Sequence, residues 1–215
     1  MNMLKQVSLA LCAILLALPT ARAQDAAAGQ KKVAMCIGCH GIAGYQASFP
    51  EVHKVPMIAG QNAKYISAAL SAYAKGDRKH PTMRGIALTL SEQDIADIAA
   101  FYEQQAKAPA VPELAAAAPA PVAELLTKGA CTTCHGPNFS KPIDGAYPKL
   151  AGQHSDYLYV ALKAYQTQGN SVIGRGNAIM AGQVKQFSHS ELQLIAKYLA
   201  SLPSELRTVP QSKFR

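Results

Sequence analysis

A chain of 215 residues, 49% of them hydrophobic, with no Trp and only five Phe, has room for two small domains but little material for large side-chain cores. Its 21 basic and 13 acidic residues give a formal charge of +8 with no basic stripe interleaved with aromatics, which argues against nucleic-acid binding. The excess of positive charge serves either solubility or steering toward acidic partner surfaces.

The first element is a leader. Lys5 precedes an uncharged run from Val7 to Leu18, followed by Pro19-Thr20-Ala21-Arg22-Ala23. A short positive segment, an apolar stretch and an Ala-x-Ala site form the pattern of a secretory signal at residues 1–23, with the mature chain starting at Gln24. The run is too short to span a bilayer as a helix; an uncleaved amphipathic anchor is the competing reading. Cys12 would leave with the leader. Lys5 and Arg22 would leave too, which lowers the formal charge to +6. The expected destination is a bacterial periplasm.

Next comes Cys36-Ile37-Gly38-Cys39-His40, which returns as Cys131-Thr132-Thr133-Cys134-His135. Cys-x-x-Cys-His is the attachment run of c-type haem. Two thiols on one helical turn can each form a thioether to the same porphyrin, and the following histidine then lies under the ring with a nitrogen aimed at the iron. A zinc site could use two Cys-x-x-Cys pairs but would not require His after both. A thioredoxin-like motif would need a βαβ context, which is missing here. Two haem c groups would use Cys36, Cys39, Cys131 and Cys134, leaving no cysteine for a structural disulfide. Two tight disulfides would leave both histidines unexplained.

The halves align element by element. The cysteine runs are 95 positions apart, Pro56-Met57-Ile58-Ala59-Gly60-Gln61 and Pro148-Lys149-Leu150-Ala151-Gly152-Gln153 are 92 apart, and the last helices are 97 apart. Two copies cannot form an array, so each half of about 90 residues must close its own core, with the porphyrin supplying apolar area.

Ile66, Ala69, Leu70 and Tyr73, and their repeat mates Leu158, Ala161, Leu162 and Tyr165, are spaced as one face of a helix. Gly76 and Gly169 are the expected stops. The last helices carry Ile95, Ile98, Ala99 and Tyr102, and Leu192, Ile195, Ala196 and Leu199, behind the starts Ser91-x-x-Asp94 and Ser188-x-x-Glu191. No alternating strand pattern appears. The fold class is all-α, helices wrapped around a ring, with domains at 24–105 and 122–215. Between them, residues 106–121 form an Ala/Pro-rich spacer, semi-rigid by composition and expected to run over both domains; a flexible tether is the alternative.

An iron held by His40 or His135 has a second axial position, and a methionine thioether there raises the reduction potential. Met83 and Met180 share the 97-residue offset, in segments read as loops before each final helix. Met35 adjoins Cys36 on the proximal side, and Met57 aligns with Lys149. The alternatives for the first haem are Met57, or bis-histidine ligation by His53 or His80, which have no matching histidine in the second half. His154 and His189 read as surface or cap residues. A backbone carbonyl near Pro56 or Pro148 could take the other N–H of each proximal imidazole; simple turn-making is the rival role. Tyr73 and Tyr165 face the ring, either to reach a propionate or the other domain, or simply to pack.

The whole mature chain resembles the dihaem cytochrome c4 family, on its paired Cys-x-x-Cys-His-Gly runs (ending at Gly41 and Gly136), the Ala-Gly-Gln before each middle helix, and Met83 and Met180. The resemblance implies two tandem class I cytochrome c domains and a periplasmic electron carrier rather than an enzyme, often loosely attached to the membrane. Its partners would be a quinol-oxidising bc complex and a terminal oxidase or reductase. Two readings compete with a free shuttle: a dedicated cytochrome subunit of a periplasmic dehydrogenase, of the flavin sulfide or alcohol dehydrogenase type, and a dihaem enzyme with an open sixth position, such as a peroxidase or thiosulfate dehydrogenase. Met57 departs from the Lys149-like residue, so the first haem's surroundings are the less typical.

Overall fold

The computed structural model describes residues 23–106 and 112–210; most of the leader with Cys12, residues 107–111 of the spacer and the last five positions lie outside the described residues. The first half contains α1 (Ala26–Gln30), α2 (Ala34–His40), β1 (Gln46–Ala47), β2 (His53–Lys54), α3 (Ala63–Lys75), β3 (Arg78–Lys79), α4 (Pro81–Ala87) and α5 (Glu92–Gln104). The second contains α6 (Ala120–Lys128), α7 (Cys131–His135), α8 (Ser155–Gln166), β4 (Gly174–Arg175), α9 (Ala178–Val184) and α10 (His189–Ser201). The chain is helical, as its periodicity predicts. The two-residue strands are additions, since so short a strand leaves no alternation to read.

Each half closes its own core. In the first, α3 and α5 meet through Ile66, Leu70 and Tyr73 against Ile95, Ile98 and Tyr102. In the second, α8 and α10 meet through Leu158 against Leu192, Ile195 and Leu199. Both final helices start with complete capping boxes: the Ser91 and Ser188 hydroxyls accept the amides of Asp94 and Glu191, whose carboxylates bond back to the serine amides. α3 ends at Gly76 in the left-handed conformation (φ 84°), as expected. Gly169 is not the stop of α8. That helix ends at Gln166 because Thr167 is already extended and turns its hydroxyl onto the Lys163 carbonyl; Gly169 lies in the chain beyond.

The segments holding Met83 and Met180 are short helices, not loops. Pro81 opens α4, where a missing N–H costs nothing, and the His80 imidazole accepts the Met83 amide. In the same position Asn177 accepts the Met180 amide at the start of α9. Seven residues are too few for a period to show in sequence.

The Ala-Gly-Gln motif has a separate role at each position. Ala59 and Ala151 are fully packed. Gly60 (φ 86°) and Gly152 (φ 68°) need left-handed backbone, and a Cβ there would stand 2.5 Å from the Glu205 carbonyl oxygen and 2.2 Å from Ser204 Cβ. Gln61 and Gln153 cross to the other half. Of the described part of the spacer, Ala106 stays on the first half, its amide donating to the Glu103 carbonyl, and the stretch from Pro112 lies on the second: Asn138 donates to the Pro112 carbonyl, Tyr198 to that of Ala116, and Ala115 and Ala118 pack on the core.

Candidate functional site

Each cysteine run ends a short helix, α2 or α7, so the two sulfurs lie one turn apart with the histidine last. All four cysteines are half-buried, and none is in a disulfide. Cys36 packs on the first core and Cys131 on the second. Among the described residues no three His, Cys, Asp or Glu side chains come together, so the two pairs do not make the shared zinc site considered from sequence.

The histidines are held alike. His40 Nδ1 lies 2.9 Å from the Pro56 carbonyl oxygen, and His135 Nδ1 lies 3.1 Å from that of Pro148. A carbonyl only accepts, so Nδ1 carries the hydrogen and Nε2 keeps its lone pair. Burial pushes both imidazoles below their ordinary pKa, with the carbonyl bonds opposing it and, for His40, the charge of His80 adding to it. Both are thereby kept neutral, the form that ligates iron, with the tautomer fixed by the proline carbonyl.

A cavity of about 470 Å³ is lined by Cys36, Cys39, His40 and Met83, with Ile66, Leu70 and Ile98 among its apolar wall. The four residues expected from sequence at the first site therefore face one space. Met57, His53 and His80 also reach its wall. His80 is engaged as the cap of α4, the role Asn177 fills in the repeat, and His53 Nδ1 is turned to the Glu51 carbonyl. At the second site Met180 and Cys131 pack on the same core, and His135 is buried beside Tyr147. His154, half-buried, precedes α8 at its N-cap position without a side-chain cap bond, and exposed His189 opens α10.

The residues that join the halves were not singled out from sequence. Gln61 Nε2 donates to the Lys149 carbonyl (3.0 Å) and its Oε1 accepts the Lys149 amide (2.9 Å); Gln153 does the same with Met57 (2.8 and 3.0 Å). Because Met57 and Lys149 are repeat mates, this is a twofold-like exchange within one chain, the pattern of an isologous interface. β3 pairs antiparallel with β4, placing Arg78 opposite Arg175. Each guanidinium lies over a tyrosine ring of its own half, Arg78 over Tyr73 at 4.7 Å and Arg175 over Tyr165 at 5.3 Å from the centroid. Those are the two tyrosines that the helix pattern had directed toward the ring. The repeat offsets of 92 for the glutamines and 97 for the arginines were the available signal.

These residues fit haem. The cavity offers two thiols, a neutral imidazole and a thioether within apolar walls. Arg78 and Arg175 also line it, and among the described residues neither guanidinium has a carboxylate partner; buried Arg78 Nε has no partner. Buried cations without a counter-charge are costly, and a cofactor bearing carboxylates would relieve that cost.

A family model for cytochrome c matches this chain twice, over residues 26–106 and 120–203. Cytochrome c4 of Azotobacter vinelandii is 33% identical over 199 residues, covering 84% of this chain and 90% of that protein. The chain belongs to the cytochrome c4 family. The crystal structure of reduced recombinant cytochrome c4 from Pseudomonas stutzeri matches with a TM-score of 0.64 at 31% identity, over 84% of this chain and all of that one. The thiosulfate dehydrogenase electron acceptor of Stutzerimonas stutzeri is 30% identical over 181 residues, 78% of each chain. As a member of the cytochrome c4 family, this chain is a dihaem electron-transfer protein carrying two covalently bound haem c groups.

Proposed function

We propose that the protein is a periplasmic single-electron carrier whose irons are closed on both faces, by His40 and Met83 in a domain spanning 24–105 and by His135 and Met180 in one spanning 122–215. Cys36 and Cys39, and Cys131 and Cys134, hold the two porphyrins as thioethers, and residues 106–121 connect the domains. Haem c supplies a one-electron ferric–ferrous couple. The chain keeps each proximal imidazole in one tautomer, excludes water with its apolar wall, and presents a methionine from a capped helix. With no coordination position open there is no place for a substrate, so the protein is a carrier and not an enzyme. The observation that carries this reading is the repeated geometry: the same proline-carbonyl bond behind each histidine and the same side-chain cap before each methionine.

Residues 1–23 act as a leader cleaved after Ala23, which directs the mature chain to the periplasm. Among the described residues no helix is long and apolar enough to cross a membrane. The partners are a quinol-oxidising complex on the donor side and a terminal oxidase or reductase on the acceptor side. The likeness to a thiosulfate dehydrogenase electron acceptor favours one second reading, a cytochrome dedicated to a periplasmic dehydrogenase. Stable stoichiometric co-elution with a dehydrogenase from native extract would favour that reading.

The ligand assignment is tested by Met83→Ala and Met180→Ala. Each is expected to remove one of two thioether-to-iron charge-transfer bands from the ferric spectrum. An unchanged band in either variant would overturn the assignment for that haem.

A further inference from the structure

The junction between the halves is built from repeat pairs, and in one pair the symmetry fails. Tyr65 and Tyr157 are mates at an offset of 92, as Arg78 and Arg175 are at 97. A symmetric junction would give each hydroxyl equivalent partners. Instead the Tyr157 hydroxyl accepts from both guanidiniums, Arg78 Nη2 at 2.8 Å and Arg175 Nη2 at 3.1 Å, while among the described residues the Tyr65 hydroxyl accepts only Arg78 Nη1 at 3.2 Å. Both lone pairs of the Tyr157 oxygen are thereby used, one by each half of the protein.

Two further observations set Tyr157 apart. Its ring stacks on His53 of the first half (centroids 6.2 Å apart), and no histidine lies between His135 and Pro148 to repeat that contact on Tyr65. Burial opposes ionisation of both phenols, but at Tyr157 the charges and hydrogen bonds of Arg175 and Arg78 outweigh it and bring the phenol down to about 8. At Tyr65 burial prevails and the phenol is pushed up to about 12. Both tyrosines and both arginines, two of these four from the second half, line the cavity of the first site, beside His40 and Met83.

We infer that Tyr157 is the positioning residue that couples the two haem sites, because its hydroxyl fixes one guanidinium from each half against the wall of the cofactor cavity. A nearby cation favours ferrous over ferric iron, so both guanidiniums, on the wall of the first site's cavity, contribute to the first haem's potential, and Arg175, which Tyr165 holds in the second half, is the route to the second haem. The Tyr157 oxygen presents its negative lone pairs to both cations and tempers both. Whatever moves that oxygen is felt at both haems, whereas Tyr65 acts on the first half alone. The inference rests on two haems ligated as proposed above.

The test compares the repeat mates in the full-length holoprotein. Tyr157→Phe and Tyr65→Phe are titrated electrochemically while the methyl resonances of each haem are followed by NMR, so that the two midpoints are read separately. Tyr157→Phe is expected to raise both midpoints, and Tyr65→Phe to move the first alone. A Tyr157→Phe shift confined to the second haem, or equal behaviour of the two variants, would overturn the inference. Arg78→Lys provides a second arm: it keeps the charge but loses the fork, and it is expected to move the midpoint of the second haem although Arg78 belongs to the first half. An unmoved second haem in that variant would overturn the inference as well. Haem content and the low-spin spectrum of the same samples test the ligation separately.

Discussion

The two halves hold their histidines, methionines and glutamines alike yet close their ends by different means. In the first, α1 crosses α5 so closely that a Cβ on Gly29 would stand 2.1 Å from the Asp97 carbonyl oxygen, and Lys32 pins the crossing to Asp94 and Asp97 at 2.7 and 2.8 Å. In the second, the residue matching Gly29 is exposed Glu124, and α6 meets α10 through Val122 and Leu126 instead. There buried Phe139, in left-handed backbone (φ 57°), accepts the amides of Leu150 and Ala151 and so sets the segment carrying Pro148. The first half also sends the β1–β2 hairpin across the junction, where Glu51 pairs with Lys163 and Lys54 with Asp156. What the duplication kept is what serves the cofactor and the glutamine exchange; what diverged is the means of closing each core and the rest of the junction.

The largest expected effect separates the halves outright. Cys36→Ala/Cys39→Ala should reduce the pyridine haemochrome yield from two haems per chain to one, and amide protection should collapse over residues 26–104 while persisting over 120–201. A natively protected first half without its haem would show that its side-chain core suffices. The next contrast concerns the crossing: Gly29→Ala should cost about 1–3 kcal/mol by overpacking, while Glu124→Ala should stay within about 0.5 kcal/mol, both read by denaturant unfolding. Comparable losses would mean that the two crossings are equivalent after all.

The interface should behave in the opposite way. Gln61→Ala and Gln153→Ala each leave a half-buried backbone donor and acceptor without their partner, at most about 1–3 kcal/mol per group left unsatisfied, so their destabilisations should agree within error; a marked difference would break the twofold reading. The smallest effect is on acid stability. The hydrogen bond from Lys32 to Asp97, with those from the Asp25 amide and Gln93, draws its carboxyl down to about 2 from an unfolded value near 3.8. A depressed carboxyl stabilises fully above the unfolded value and loses that contribution as pH falls through the folded one. The stability gap between wild type and Asp97→Asn in the first half should therefore narrow between about pH 4 and pH 2. A gap independent of pH would contradict the assignment.

How much of this could be read beforehand depended on whether the determinant was local. Cys36 to His40 declares its chemistry because thioethers and an axial ligand impose spacing within one turn, and Ile66 to Tyr73 declares a helix because burial imposes a period. Met83 and Met180 were singled out through the repeat, although their helices were too short to be seen. Gly169 misled because Thr167 ends α8 first. Arg78, Arg175, Tyr65 and Tyr157 carry no local pattern; they acquire a role only when β3 meets β4 and the halves share a cavity. Ala-Gly-Gln was visible as a motif, but its glutamine works on the other half, which no reading within one repeat would disclose.

The most direct test of the central claim, that two haems are each closed by His and Met so that only electrons enter and leave, is a spectroelectrochemical titration of the purified holoprotein under carbon monoxide. Two one-electron waves with low-spin spectra and no carbon monoxide adduct in the ferrous form are expected. A high-spin component, or a haem that binds carbon monoxide readily, would contradict the account.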